Sequence, residues 1–165
     1  LRKNGIKIGR YHIFLPRMLK PNAVELRVKL WKLFYPDDKK YIIPKSGLNF
    51  LKDETLKNNK FLLICGFENF NKFYVRVDIL ERFFLKVIEN MKDGIFKIDS
   101  NMINLIGCSK ENFYKLLELM QYKRAKIKQD NEEYFQYIPK FSKKVKSKKI
   151  SKDSPFEKLS ELRFR

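Results

Sequence analysis

Residues 105–123 read LIGCSKENFYKLLELMQYK, and this stretch decides the fold that we predict for the chain. A short apolar segment ends at Gly107, a residue suited to the left-handed position that follows a helix. Ser109 is placed to cap a second helix. That helix carries one apolar stripe, formed by Phe113, Leu116, Leu117 and Met120. Two short helices joined by a tight turn are the helix-turn-helix arrangement of many DNA-binding proteins.

The segments before this pair predict a further helix and a short strand. Asp78, with Glu81 three residues later, resembles a capping box at the start of a helix. Asp93-Gly94 predicts a turn, and residues 95–99 predict a strand. Ser100 is placed to cap the first helix of the pair.

The segments after the pair complete a recognisable order. Residues 122–128 (YKRAKIK) and 133–138 (EYFQYI) predict two strands around the polar turn QDNE. Helix, strand, helix, helix, strand, turn, strand is the element order of a winged helix. We therefore predict a winged-helix-like domain over residues 78–138, within an α+β chain.

Residues 1–77 predict a small strand-helix-hairpin portion. The stretch YHIFL (11–15) predicts a strand, and a helix capped by Asn22 should end at Pro36. Its predicted apolar face contains Leu26, Leu30, Leu33 and Phe34, widened by Ala23, Val24, Val28 and Trp31. Arg27, Lys29 and Lys32 are predicted to face solvent. The stretches FLLICGF (61–67) and FYVRV (73–77) predict a β-hairpin.

Charge is the most informative property of the composition. The chain has 37 Lys and Arg against 19 Asp and Glu, which gives a net charge of +18. Residues 139–165 hold ten cations and three acids and predict a basic flexible tail with a short terminal helix, so the remaining residues carry a net +11. A polyanion is the partner that such a balance favours, and a nucleic acid is the commonest one. The alternative is that the cations only solvate the surface.

Several other classes of protein are disfavoured. The longest apolar run, residues 61–65, is far too short to cross a bilayer, and no signal-peptide pattern opens the chain, so we expect a cytoplasmic protein with no membrane partner. Cys65, Cys108 and His12 are too few for a zinc site, and both cysteines suit buried positions in a reducing compartment. The chain begins at Leu1 without a Met, which suggests a piece of a longer protein.

No catalytic site is predicted in this chain. The six glycines form no phosphate-binding loop of the G-x-x-x-x-G-K-[ST] type. His12 lies among alternating apolar residues, where a structural histidine is expected rather than a general base. Asp37 and Asp38 lie in a polar loop with nothing else converging on them. We predict no catalytic, cofactor-binding or metal-binding residue.

Binding residues are predicted from charge and strand geometry. On the helix after Ser109, the outward face presents Glu111, Lys115 and Glu118, with Asn112, Tyr114 and Gln121 beside them, and is close to neutral, a poor reader of a major groove. The following strand is strongly basic, and in extended form Tyr122 and Arg124 project from the same face as residues 126 and 128. The predicted nucleic-acid-binding residues are Arg124, Lys126, Lys128, Lys123, Tyr122, Lys115, Lys143, Lys144, Lys146, Lys148 and Lys149. An edge strand protected from aggregation by lysines is the alternative.

Three blocks of sequence carry a resemblance to a known family. They read GIKIGRYHIFLPRMLKPNAVELRVKLW (5–31), CGFENFNKFYVRVDILERF (65–83) and NLIGCSKENFYKLLELMQYK (104–123), and SPFEKLSEL (154–162) adds to them. Together they resemble the C-terminal accessory region of bacterial superfamily-two DExH-box helicases akin to the mitochondrial degradosome RNA helicase.

The resemblance implies an accessory module that acts with two upstream motor domains on a nucleic acid, RNA more than DNA, at the expense of ATP. ATP and Mg would belong to that motor, so the resemblance implies no cofactor in this chain, and it transfers no catalytic residue. Two other functions stay open: a winged-helix protein-docking module of a nucleoprotein complex, and a stand-alone DNA-binding regulator.

Overall fold

The structure is a computed structural model that describes residues 2–36, 41–54, 59–125 and 133–138. The described residues mix α-helices and β-strands, as predicted for an α+β chain. Short 3-10 turns at Arg2–Asn4 and Pro16–Leu19 accompany the first elements. Those elements are β1 (Lys7–Ile8), β2 (Ile13–Phe14), α1 (Pro21–Phe34), β3 (Phe50–Lys52), α2 (Asn59–Ile64), β4 (Phe67–Phe70) and β5 (Phe73–Arg76).

The second half of the described chain begins directly after β5. Its elements are α3 (Val77–Asn90), β6 (Met91–Lys92), β7 (Ile95–Lys97), α4 (Ser100–Ile106), α5 (Lys110–Leu119), β8 (Tyr122–Arg124) and β9 (Tyr134–Tyr137). Asp93 and Gly94 both have positive φ between β6 and β7, as a two-residue hairpin turn requires. Gly107 adopts the left-handed conformation predicted for it, and the Ser109 hydroxyl accepts a hydrogen bond from the Asn112 backbone N–H.

Three antiparallel sheets organise these strands. The strands β1 and β2 form a ribbon, and a three-stranded sheet has the order β3-β5-β4. The third sheet has the order β6-β7-β9-β8, so β9 returns to lie between the strands on either side of α4 and α5. The predicted pairing of the strands after α5 is therefore confirmed for the described residues.

Two clusters of buried side chains hold the fold together. The larger cluster joins α3, α4 and α5 to the four-stranded sheet, and its central aromatic rings include Phe83, Phe96, Phe113 and Phe135. It also takes in Phe73 and Val75 of β5, so the hairpin shares its core with the helices. The smaller cluster packs α1 and α2 on the other side of the β3-β5-β4 sheet around Tyr74. Burial of apolar area at these two places is the main stabilising contribution.

Three local predictions were wrong. Residues 61–64 belong to helix α2 rather than to a strand, so the hairpin is formed by β4 and β5. Asp78 does not cap α3, because Arg76 is the N-cap residue and its guanidinium binds the Asp78 carboxylate. Asp99, rather than Ser100, caps α4 by accepting a hydrogen bond from the Asn101 N–H.

Helix α1 turns only part of its predicted apolar face to the core. It begins at Pro21 after Lys20 rather than at a capping Asn22, and Val24 and Val28 are its buried residues. Arg27 and Lys32 are half-buried, and both donate to backbone carbonyl oxygens. The other part of the predicted apolar face is exposed, a set that we name the α1 apolar stripe: Leu26, Leu30, Leu33 and Phe34.

Candidate nucleic-acid interface

Helix α5 presents the outward face that its sequence predicts. Glu111, Lys115 and Glu118 are exposed, while the stripe of Phe113, Leu116 and Leu117 is buried. Two acids flank the one cation, so this face alone offers little to a polyanion. The second helix of the helix-turn-helix pair is therefore mainly a packing element.

Other elements add cations beside Lys115. The β4–β5 turn and β3 bring Lys72 and Lys52 to a groove that Lys115 also lines, together with Asn71 and Asn112. Glu54 forms an ion pair with Lys52 at 2.8 Å. A hydrogen bond and the charge of Lys52, with the charge of Lys72, lower the pKa of the Glu54 carboxyl below its usual range. Part of the positive charge in this groove is thus already neutralised.

Strand β8 separates the predicted binding residues into different environments. Tyr122 is only 5% exposed, and its ring packs edge-on against Phe96 at 5.3 Å between ring centroids. Burial raises the pKa of the Tyr122 hydroxyl to about 12. A nucleic acid could not stack on this ring without opening the core, so the predicted binding role of Tyr122 is replaced by a packing role.

Arg124 is exposed but already has partners. Its guanidinium lies 4.9 Å from the centroid of the Tyr114 ring and 3.9 Å from a Glu133 carboxylate oxygen. Lys110 also approaches Glu133, at 3.6 Å, and the Tyr114 hydroxyl donates a hydrogen bond to the same carboxylate. That hydrogen bond, with the two nearby cations, lowers the pKa of Glu133. Arg124 and Lys110 therefore face an acid whose ionised form these contacts favour.

Lys123 occupies the opposite face of the same strand. It is exposed and pairs in register with Gln136, so it points away from the core that holds Tyr122. The remaining predicted cations lie outside the described residues: Lys126, Lys128, Lys143, Lys144, Lys146, Lys148 and Lys149.

The most basic part of the described chain is one that the sequence reasoning did not single out. Residues 2–36 contain nine Lys and Arg but only one acid, Glu25. Seven of these cations are exposed: Arg2, Lys3, Lys7, Arg10, Arg17, Lys20 and Lys29. A count of charge by segment would have found this asymmetry, which the total of +18 concealed.

Three cations of this region and one of helix α3 line a groove that we name the N-terminal basic groove: Arg2, Lys7 and Arg10, with Arg82 of α3. Its apolar floor includes Ile8, Leu85 and Ile88, all about half exposed. Asp78 and Glu81 also line it. Asp78 is held by the Arg76 guanidinium at 2.6 Å, which reduces its effect on the other cations.

Glu81 is engaged even more completely. It is 5% exposed and accepts hydrogen bonds from the backbone N–H groups of Arg10 (2.5 Å), Tyr11 (3.0 Å) and His12 (2.8 Å). His12 Nδ1 lies 2.8 Å from its Oε1, and His12 Nε2 lies 3.3 Å from Glu68. One buried carboxylate on α3 thus fixes the strand ribbon that carries the basic residues.

The pKa of Glu81 reflects these contacts. Burial alone would raise it, but the His12 side chain and the three backbone N–H groups outweigh burial and hold the pKa below its usual range. His12, predicted to be structural, is half-buried between two carboxylates.

The described residues show no other candidate chemistry. Among them no group of three His, Cys, Asp or Glu could hold a metal ion. Cys65 and Cys108 are not bonded to one another, and burial raises the pKa of each thiol to about 11. No helix within the described ranges has the length and apolarity needed to span a membrane. No family model, no curated protein and no solved structure matches the chain.

Proposed function

We propose that this chain is a nucleic-acid-binding module, built around a winged helix over residues 78–138, that serves as the C-terminal accessory region of an ATP-dependent RNA or DNA helicase. The observation that carries the binding proposal is the charge of residues 2–36, nine cations against one acid, with seven of the cations exposed. Phosphate contacts by such side chains supply most of the affinity for nucleic acids. The winged-helix assignment is supported by the β7-β9-β8 order around α4 and α5.

The N-terminal basic groove is the part of this surface best suited to a phosphate backbone. Its cations converge from three parts of the chain, the 3-10 turn at Arg2–Asn4, the ribbon and α3, and the two acids beside them are held by bonds to other groups. The helicase part of the proposal rests on the resemblance of residues 5–31, 65–83 and 104–123, and ATP hydrolysis would belong to upstream motor domains. An in-frame phosphate-binding loop in the coding sequence before Leu1 would support it, and the absence of one would refute it.

The binding proposal is tested by fluorescence anisotropy with labelled RNA and DNA across a range of salt concentrations. Arg10→Ala and Arg82→Ala together should weaken binding and reduce the slope of log affinity against log salt by about one for each lost phosphate contact. Lys60→Ala, which removes an exposed lysine of α2, is the matched control. If the chain binds no RNA or DNA, or if the double variant keeps the wild-type slope, the proposed role of the groove is wrong.

One observation favours a second candidate, a protein-docking module. The α1 apolar stripe is open to solvent, with Leu33 76% and Phe34 81% exposed, and such stripes at helical spacing commonly pack on a partner. Capture of a partner that survives nuclease treatment and is abolished by Leu30→Asp would favour docking. The stand-alone regulator is less well supported, because the outward face of α5 is close to neutral.

A further inference from the structure

The four-stranded sheet has one face on the core and one face turned away from it. Strand alternation places Phe96, Tyr122 and Phe135 on the core face, where all three are buried. The opposite face, which we name the outer sheet face, consists of Lys92, Ile95, Lys97, Lys123, Tyr134 and Gln136.

The register aligns these six residues in two rows. Lys92, Ile95, Gln136 and Lys123 stand opposite one another across all four strands. Lys97 stands opposite Tyr134 in the neighbouring row. Three strand spacings separate Lys92 from Lys123, roughly 14 Å. The arrangement places Lys92 and Lys123 on the two edge strands, β6 and β8. It places the Tyr134 ring and the Gln136 amide on the inner strand β9.

The six residues of this face carry positive charge only. Its three lysines are exposed, its three other residues are half-buried, and none of the six positions carries an acid. A groove lined by Lys92, Ile95, Lys97 and Tyr134 opens on it. Glu89, Asp93 and Asp99 line the same groove, and all three belong to the β6–β7 end of the sheet. Asp99 already accepts hydrogen bonds from Asn101.

We propose that the outer sheet face binds a single-stranded nucleic acid, with a base stacked on Tyr134 and phosphates held by Lys97 and Lys123. A single strand fits because its unpaired bases can stack on the half-buried ring of Tyr134, whereas bases in a duplex already stack on each other. The acids at the β6–β7 end weaken the positive potential near Lys97, whereas Lys123 lies on the far edge strand β8. This inference rests on the proposed nucleic-acid-binding function and adds a substrate class and a second surface to it.

Variants of the full chain test the outer sheet face with labelled oligouridylate, oligodeoxythymidylate and a hairpin duplex of the same length. Tyr134→Ala should weaken binding to both single strands about tenfold, because a stacked base contributes about 1–3 kcal/mol. Tyr134→Phe keeps the ring and should bind nearly as the wild type does. Lys123 is exposed, so Lys123→Glu should weaken single-strand binding without altering the packing of Tyr134. Duplex binding through the N-terminal basic groove should change little in Tyr134→Ala.

The outcomes distinguish this inference from the proposed function beneath it. If the wild type binds single strands but Tyr134→Ala and Lys123→Glu bind them as tightly, the outer sheet face is not the site, and nucleic-acid binding itself still stands. If Tyr134→Phe loses as much affinity as Tyr134→Ala, stacking is refuted. If the wild type binds no nucleic acid, both proposals fail. A matched melting temperature for each variant excludes unfolding as the cause.

Discussion

Replacing Glu81 with Ala should free the strand ribbon that carries the basic residues. The substitution removes the acceptor of three backbone N–H groups and the carboxylate beside His12. Hydrogen bonds to a charged group contribute about 1.5–3 kcal/mol each, but the freed segment can bind water instead. Removing one partner of a buried ionic contact costs about 3–5 kcal/mol. We expect a loss of about 4 kcal/mol in the free energy that holds residues 10–12 on α3.

Hydrogen exchange measures this loss at the atoms concerned. The amides of Arg10, Tyr11 and His12 are the donors, so each reports on its own bond to Glu81. A loss of about 4 kcal/mol corresponds to an exchange rate up to about a thousandfold faster, since 1.4 kcal/mol is a factor of ten. Glu89→Ala, an exposed glutamate of the same helix, is the control and should leave these amides unchanged. Wild-type exchange in Glu81→Ala would refute the proposed anchor.

The same contact predicts a dependence on pH. The folded-state pKa of Glu81 lies below its unfolded value, so its stabilising contribution is complete above the unfolded pKa. The contribution is lost as the pH falls through the folded pKa, when the carboxylate is protonated. The protection of the amides of residues 10–12, measured against an unfolded chain at the same pH, should therefore fall on acidification in the wild type, and much less in Glu81→Gln.

Three further predictions concern the packed part of the chain. Phe113→Ala removes a fully buried ring that meets Phe83 edge-on, and thermal unfolding should show a loss of about 3–5 kcal/mol. Ser109→Ala removes the cap of α5, and urea unfolding should show a loss of about 1 kcal/mol. Burial raises the pKa of the Cys65 and Cys108 thiols to about 11. A disulfide reagent should therefore label the folded chain slowly near neutral pH and the unfolded chain rapidly. Fast labelling of the folded chain would contradict the burial of these thiols.

The second half of the fold was predictable because its signals are local. Gly107 and Ser109 act within their own turns, and the Asp93-Gly94 dipeptide suits a hairpin whatever surrounds it. The strands on either side of residues 126–132 were also readable from their alternation. By contrast, residues 61–64 are a short apolar run, and periodicity alone cannot separate a buried strand from a buried helix at that length.

Long-range contacts explain what the sequence did not reveal. Glu81 matched a local capping box, yet its carboxylate binds backbone groups about 70 residues away. Helix α1 is apolar on two sides, and its pattern cannot tell which side meets the core. The basic strand was visible as a string of cations, but the contact of Arg124 with Glu133 depends on how β8 pairs with β9.

The contact between the ribbon and α3 also constrains how the sequence can vary. A Cβ atom on Gly9 would overlap the carboxylate of Glu81, so a side chain at residue 9 requires the Glu81 side chain to move or to be replaced by a shorter one. A shorter residue 81 would in turn release the amides that hold the ribbon. Across natural variants of this protein, a side chain at residue 9 should therefore occur together with a change at residue 81, although about 70 residues of chain separate them. Covariation of residues 9 and 81 in a set of related sequences would be evidence of this contact.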